Sequence, residues 1–315
     1  MSEKIVLGID TSNYTTSVAV MTARGELLAN IRRLLTVKEG ERGLRQSDAV
    51  FAHVKNIPEL MTEAEKYING GELCAVGVSE RPRNTEGSYM PCFLSGVATA
   101  QSVASACGIS LYRFSHQCGH IMAALYSCSA PSLIDRELAA FHISGGTTEL
   151  LRVRAAEYGF DAELVGKTLD LNAGQVIDRV GVRLGLGFPA GGALEELAFA
   201  NNSKIPKRKP SAKGLDISLS GLENLADGLY RDTGDKALVA AFVFDYIGNS
   251  ICAMSDAYIE KYGNTPILYA GGVMRNSIIR AKLASRYDAY FAEPDMSSDN
   301  AVGIAALTVR ALSKK

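Results

Sequence analysis

Net charge is almost absent from this chain: 33 Lys and Arg stand against 34 Asp and Glu, leaving −1 over 315 residues. A polyanionic partner could be held only by a local basic cluster, since phosphate binding needs grouped Lys and Arg rather than a global excess. Paired cysteine spacing is absent too. Cys74, Cys92, Cys107, Cys118, Cys128 and Cys252 are scattered, unlike a zinc ribbon or a disulfide scaffold, and read as free thiols of a reducing compartment. The apolar run in MSEKIVLGID is too brief and too strand-like for a signal peptide. Residues 87–112 carry no charge, but Ser and Gly keep their apolar density below that of a spanning helix. These absences describe a cytoplasmic protein without a membrane partner. Also missing is a Glu after the first histidine of SHQCGH, which removes the His-Glu-x-x-His arrangement of zinc proteases and with it that route to hydrolysis.

What is present is a hydrophobic fraction of 47% and enough length for two lobes of about 150 residues, each with its own core. The chain opens with three strands, at 5–10, 16–21 and 27–35, separated by the turns TSNY and ARGE. A helix over 50–67, a strand over 73–78, a Gly/Ala-rich helix over 92–107 and a strand over 109–114 follow. The second half begins again in the same way, with a strand at 138–143, the turn SGGTT and a strand at 149–153. This repetition predicts an α/β fold of two duplicated βββαβα lobes of the actin, sugar-kinase and Hsp70 type, with an inter-lobe cleft. The expected division is 1–133 plus 300–315 for one lobe and 134–299 for the other, the last helix (300–312) crossing back to the first.

In Ser115-His116-Gln117-Cys118-Gly119-His120, histidines at i and i+4 of a helix lie on one face, where both imidazoles can bind one metal ion. Cys118, turned roughly 200° from His116, should not join them. The same histidines could instead cap or pack. A carboxylate is needed to complete the set, and Asp299 in SSDN offers one. An Asp at a helix entry equally serves as an N-cap or first-turn residue.

The turn His142-Ile143-Ser144-Gly145-Gly146 follows a buried strand, and its glycines let backbone amides approach an anion; a plain tight hairpin would use the same residues. In AGGVMRNS a strand ends at Gly271-Gly272 and enters a helix with Asn276 on its first turn, giving amide donors for a nucleotide. Asp170, Gly174 and Asp178 recur at four-residue spacing, placing two carboxylates on one helix face, either for ribose hydroxyls or simply for solvent. SKIPKRKPSAKG, residues 203–214, is an exposed basic loop, either solvated surface or a grip for RNA phosphates.

The order GIDTS, SHQCGH, SGGTTEL, GKTLDLNAGQVIDRVGVRLGLGFPAGG, ISLSGL, AGGVMRNSIIRAKLA, SSDNAVGIA resembles the tRNA threonylcarbamoyladenosine transferase family, formerly the O-sialoglycoprotein endopeptidase or glycoprotease family, over nearly the whole chain. The resemblance implies metal ligands (iron or zinc) at His116, His120 and Asp299. It implies substrate or nucleotide contacts at His142, Ile143, Ser144, Gly145, Gly146, Asp178, Gly191 and Asn276, alongside the Gly271-Gly272 turn. Its cofactors would be that metal and an adenine nucleotide, threonylcarbamoyl-AMP or ATP with Mg. Its partners would be tRNA, a homologous actin-like protein and a small ATPase. The implied reaction is attack of an adenosine amine beside the tRNA anticodon on the carbamoyl carbonyl of threonylcarbamoyl-AMP. The chain also departs from the pattern. Tyr14-Thr15 replaces an Asp-Glu pair, SERPRNTEGSYMP a shorter Gly-Pro-Gly loop, Gln46-Ser47 a Pro-Glu pair, Asp170-Leu171 an Asp-Asp pair, and Gln175 a Glu. These changes describe a divergent paralogue, whose alternatives are a non-catalytic nucleotide-binding scaffold or a transferase with another acceptor.

Overall fold

The computed structural model describes every residue except 1, 13, 37–43, 158, 297, 298 and 315. Position 13 of the first hairpin turn and positions 297 and 298 of SSDN thus lie outside the described residues. The chain divides into two compact units: Met1–Asp135 with Arg154–Ala162 and Asp295–Lys315, and Arg136–Val153 with Glu163–Pro294.

In the first unit the strands β1 (Glu3–Thr11), β2 (Thr15–Thr22) and β3 (Leu27–Leu34) form an antiparallel meander. Helix α1 (Gln46–Ile68) leads to β4 (Gly71–Arg81), α2 (Phe93–Cys107), β5 (Ser110–Ser115) and α3 (His116–Ser127). The sheet order is β3-β2-β1-β4-β5, with β4 parallel to both β1 and β5. Every residue from Ile5 to Thr11 of β1 and from Thr15 to Thr22 of β2 is buried, as expected of central strands covered on both faces.

The second unit repeats this plan. Strands β6 (Leu138–Ile143), β7 (Thr148–Ala155) and β8 (Phe160–Lys167) are followed by helices α4 (Ala173–Arg183) and α5 (Gly191–Phe199). After them come the short pair β9 (Ser211–Lys213) and β10 (Asp216–Ser218), then helices α6 (Ser220–Thr233) and α7 (Lys236–Tyr262). The chain continues through β11 (Ile267–Ala270), α8 (Ser277–Ala284) and β12 (Ala289–Phe291). The order β12-β11-β6-β7-β8 is the first unit's order with each strand in the equivalent place, which is the duplication expected from the repeated strand–turn–strand opening. Phe141 on β6, Tyr269 on β11 and Phe291 on β12 stack across the strands at 5.1 and 5.3 Å, each pair adding about 0.5–1.5 kcal/mol beyond burial. Helix α7 is long and apolar enough to cross a membrane, but its apolar window is 78% buried inside the protein; it is this unit's core helix.

The final helix α9 (Val302–Ser313) packs in the first unit against α3 and the sheet. A Cβ on Gly303 would overlap the Gly119 carbonyl, so the two helices can approach this closely only because position 303 is glycine. That approach brings the segment before α9 up to the histidine-bearing turn of α3.

Two expectations need correcting here. Asp170 is not on a helix face with Asp178, because α4 starts only at Ala173. Its carboxylate instead accepts from Leu171 N, Leu219 N, Ser220 N and Ser220 Oγ at 2.6–3.2 Å. Burial pushes its pKa up, but these hydrogen bonds outweigh burial and leave it lowered. Asp170 thus clips the entry of α4 to the entry of α6. Asn276, expected on a first turn, is the N-cap of α8, its Oδ1 accepting from Ile279 N at 2.9 Å.

Candidate metal centre and nucleotide cavity

In the first unit, β5 ends at Ser115, whose hydroxyl caps α3 by accepting from Cys118 N at 3.2 Å. The helix therefore begins at His116, and His120 follows one turn later on the same face. Nε2 of His120 lies 2.9 Å from Nε2 of His116 and 3.1 Å from Oδ1 of Asp299, and His116 Nε2 lies 3.5 Å from the same oxygen. Asp299 is not the N-cap of α9, which is Ala301. The competing structural reading of that residue therefore falls away, and its carboxylate faces the imidazoles.

Bonds of about 2.0–2.2 Å to one ion set ligand atoms about 2.9 Å apart at right angles and about 3.4 Å apart in a tetrahedron. The three observed separations span that range, and the two nitrogens and one oxygen suit zinc or iron. The side chains of His116, His120 and Asp299 are 20%, 22% and 27% exposed, which leaves room for a further ligand from outside.

Asp10, at the end of β1 and fully buried, was not singled out in the sequence. Both of its oxygens lie 3.1 Å from Nδ1 of His116, and it also accepts the Ser79 hydroxyl from β4. A carboxylate on Nδ1 holds the proton there and turns the Nε2 lone pair toward an ion, the usual support for a metal-bound histidine. Burial lowers the pKa of His116, but Asp10 and then Asp299 outweigh it and lift it to about 10. Burial would raise Asp299, yet His116 and His120 hold it well below the ordinary carboxylate range. The sequence signal for Asp10 was an acid ending an apolar strand, since Asp is almost never fully buried without a partner.

The extended loop 79–91 is tied to this helix. Pro82 O accepts from Gln117 N at 3.0 Å, and Asn84 Nδ2 donates to Phe160 O at 2.9 Å and approaches Cys118 Sγ at 3.3 Å. All six cysteines are free thiols.

In the second unit a cavity of about 580 Å³ is lined by Gly145, Asp178, Gly191, Gly272 and Asn276 from the sequence candidates. Phe244, Glu195 and Arg275, which the sequence did not single out, also line it. Gly271 makes no lining contact but shapes the turn: its φ is +102° and a Cβ would overlap the Ile143 carbonyl, so only glycine fits. Ile143 itself is fully buried in the unit's core, and His142 sits within the β6 ladder. The Ser144 hydroxyl accepts from Gly146 N and Thr147 N at 3.2 and 3.1 Å. Those amides are used within the turn rather than left open for an anion.

Asp178 Oδ1 accepts from Ala190 N at 2.8 Å, fixing the start of α5 against α4. Asn276 is 7% exposed and its Nδ2 has no hydrogen-bond partner among the described residues. A buried amide with one orphaned donor is costly unless something completes it, and the adjoining cavity is where a nucleotide's acceptors would do so. Gln175, where the resemblance expects Glu, accepts from Asn172 N at 3.0 Å and closes a capping box on α4; the amide performs the same local task as a carboxylate.

A family model described as TsaD, tRNA N6-adenosine threonylcarbamoyltransferase, matches residues 26–306. A tRNA N6-adenosine threonylcarbamoyltransferase of Streptococcus suis (strain 05ZYH33) is 31% identical over 296 residues, covering 90% of this chain and 84% of the relative. That of Streptococcus pneumoniae (strain Taiwan19F-14) is 30% identical over 299 residues, with the same coverage. Among solved structures, full-length HypF in a phosphate- and nucleotide-bound form superposes with a TM-score of 0.58 at 13% identity, over 99% of this chain and 56% of that one. A ROK family glucokinase from Streptomyces griseus gives 0.53 at 11% identity, over 98% of this chain and 99% of that one. These structural likenesses carry the fold alone, and it is the actin-like ATPase fold.

Proposed function

Since the chain belongs to the tRNA N6-adenosine threonylcarbamoyltransferase family, an enzyme family, we propose that it moves the threonylcarbamoyl group from threonylcarbamoyl-AMP to the adenosine amine next to the tRNA anticodon. A C–N bond forms between that amine and the carbamoyl carbon. The bond from that carbon to the phosphate oxygen breaks, AMP leaves with the electron pair, and the amine loses a proton. The observation that carries this reading is the convergence of His116 Nε2, His120 Nε2 and Asp299 Oδ1. An iron or zinc ion on those atoms would supply a Lewis acid for the acyl group. Asp10 keeps the His116 proton on Nδ1, so that Nε2 remains a ligand.

The adenylate belongs in the second unit's cavity, with Asp178 on the ribose and the orphaned Asn276 Nδ2 on an acceptor of the nucleotide. Gly145, Gly191 and Gly272 leave its wall free of side chains there. His142, Ser144 and Gly146 shape the turn that bounds it, and Ile143 and Gly271 hold that turn against the β11 end. ATP with Mg is the alternative occupant. The partners are tRNA, a homologous actin-like protein and a small ATPase, in the cytoplasm.

A non-catalytic scaffold, or a transferase with another acceptor, is favoured by one feature: Tyr14, 41% exposed, and the buried Thr15 stand where the resemblance expects two acids. Incubating the chain and its partner proteins with threonylcarbamoyl-AMP and tRNA, then hydrolysing the RNA for mass spectrometry, separates these readings. Threonylcarbamoyladenosine formed by wild type and lost in His120→Ala supports the transferase. Adenylate binding without product would leave the scaffold reading, and AMP release without modified RNA would point to another acceptor.

A further inference from the structure

The segment 203–214 carries Lys204, Lys207, Arg208, Lys209 and Lys213 and no acid, so the rest of a chain of net charge −1 carries −6. All five cations are exposed. Among the described residues none of them forms an ion pair, whereas Arg179, Arg183, Lys282 and Arg286 of the same unit all do.

The segment is also held in place. Ile205 packs on the unit's core, Ser211 N donates to the Tyr246 hydroxyl at 3.1 Å, and β9 pairs with β10 through Lys213 and Asp216. Pro206 and Pro210 restrict the backbone between these anchors. Lys207, Arg208 and Lys209 line a cavity of about 600 Å³ with Asp245 and Asn249. Asp245 is the one acid there, and it is taken up by Lys282 Nζ at 2.6 Å and Asn249 Nδ2 at 2.8 Å. The floor is thus neutralised from within while the rim keeps its positive charge.

We infer that this segment is a docking strip for the phosphate backbone of an RNA, resting on the reading of the chain as a tRNA-modifying enzyme. Unpaired cations on a fixed backbone release condensed counterions when phosphates replace solvent, with little ordering cost. Such contacts set where the RNA lies without reading its sequence.

The test is fluorescence-monitored binding of unmodified tRNA to the metal-loaded full chain together with its partner proteins between 50 and 200 mM salt, wild type beside Lys207→Ala/Arg208→Ala/Lys209→Ala. Loss of three phosphate contacts should make the slope of log K against log salt shallower by about 2–3 and weaken binding about tenfold or more at low salt. Adenylate binding by calorimetry should be unchanged, since none of the three lines that cavity. An unchanged slope and affinity would overturn the strip while leaving the transferase reading intact. Wild-type binding of adenylate without any binding of tRNA would overturn both. If the triple variant loses binding to anionic vesicles but not to tRNA, the strip serves a membrane and the inference is wrong.

Discussion

The Asp10 carboxylate lies 3.1 Å from Nδ1 of His116, while Nε2 of the same ring lies 2.9 Å from Nε2 of His120. One imidazole is therefore gripped on both edges, and the grip chooses its tautomer. Replacing Asp10 by Asn keeps the shape and an acceptor for Ser79 but removes the charge that anchors the Nδ1 proton. Asp10→Asn should lower metal affinity about 10–100-fold, read by chelator competition. Affinity equal to wild type would mean that Asp10 only fills space.

Gly303 offers a test of how Asp299 reaches the histidines. Gly303→Ala places a methyl group into the Gly119 carbonyl, and overpacking of this kind costs about 1–3 kcal/mol. Urea unfolding should show that loss, together with reduced metal retention. Gly228→Ala on α6, where a Cβ meets nothing within 4 Å, should instead stabilise by about 0.5–1 kcal/mol. Equal effects at the two positions would contradict the close crossing of α3 and α9.

Asn276 carries two tasks that one substitution can separate. Asn276→Asp keeps the acceptor that caps Ile279 N and removes the unpartnered Nδ2 donor. Calorimetry with threonylcarbamoyl-AMP should show binding weakened tenfold or more, matching about 1.4 kcal/mol or above for one buried hydrogen bond, while the thermal midpoint stays near wild type. Nucleotide affinity that survives the change would remove Asn276 from the site.

His53 on α1 is fully buried, with Nδ1 2.8 Å from Thr16 Oγ1. Burial lowers its pKa below the ordinary 6.5, against smaller raising effects from the Ser12 backbone and Asp10. The folded protein keeps this ring neutral while the unfolded chain protonates it, so its contribution is whole above pH 6.5 and is lost as pH falls below it. One such group gives a slope of at most about 1.4 kcal/mol per pH unit. Urea unfolding at pH 7.5 and 5.5 should show a steeper loss in wild type than in His53→Gln; parallel losses would show that His53 titrates equally in both states.

The sequence made the duplication readable because both sheets open with apolar strands around a short polar turn, and it made the histidine pair readable because helical spacing alone brings positions 116 and 120 together. Asp299 was legible as a candidate carboxylate, but its approach to the histidines was not, since that depends on the close crossing at Gly303 of two helices far apart in the chain. Asp170 departs from its expected place because four-residue spacing is helical only from Ala173, where α4 begins. Asp10 and Glu195 escaped notice for a shared reason. The partner of each, His116 for one and the Ser277 N–H and hydroxyl at 2.7 and 2.6 Å for the other, is distant in sequence and adjacent only after folding.

The most direct test is the metal content of the purified chain by elemental analysis, wild type beside His116→Ala and His120→Ala, with folding checked by circular dichroism. About one iron or zinc ion per chain in wild type, lost from both folded variants, is the result expected for three ligands converging on one ion. A wild-type protein that holds no ion after incubation with either metal, or variants that hold as much as wild type, would contradict it.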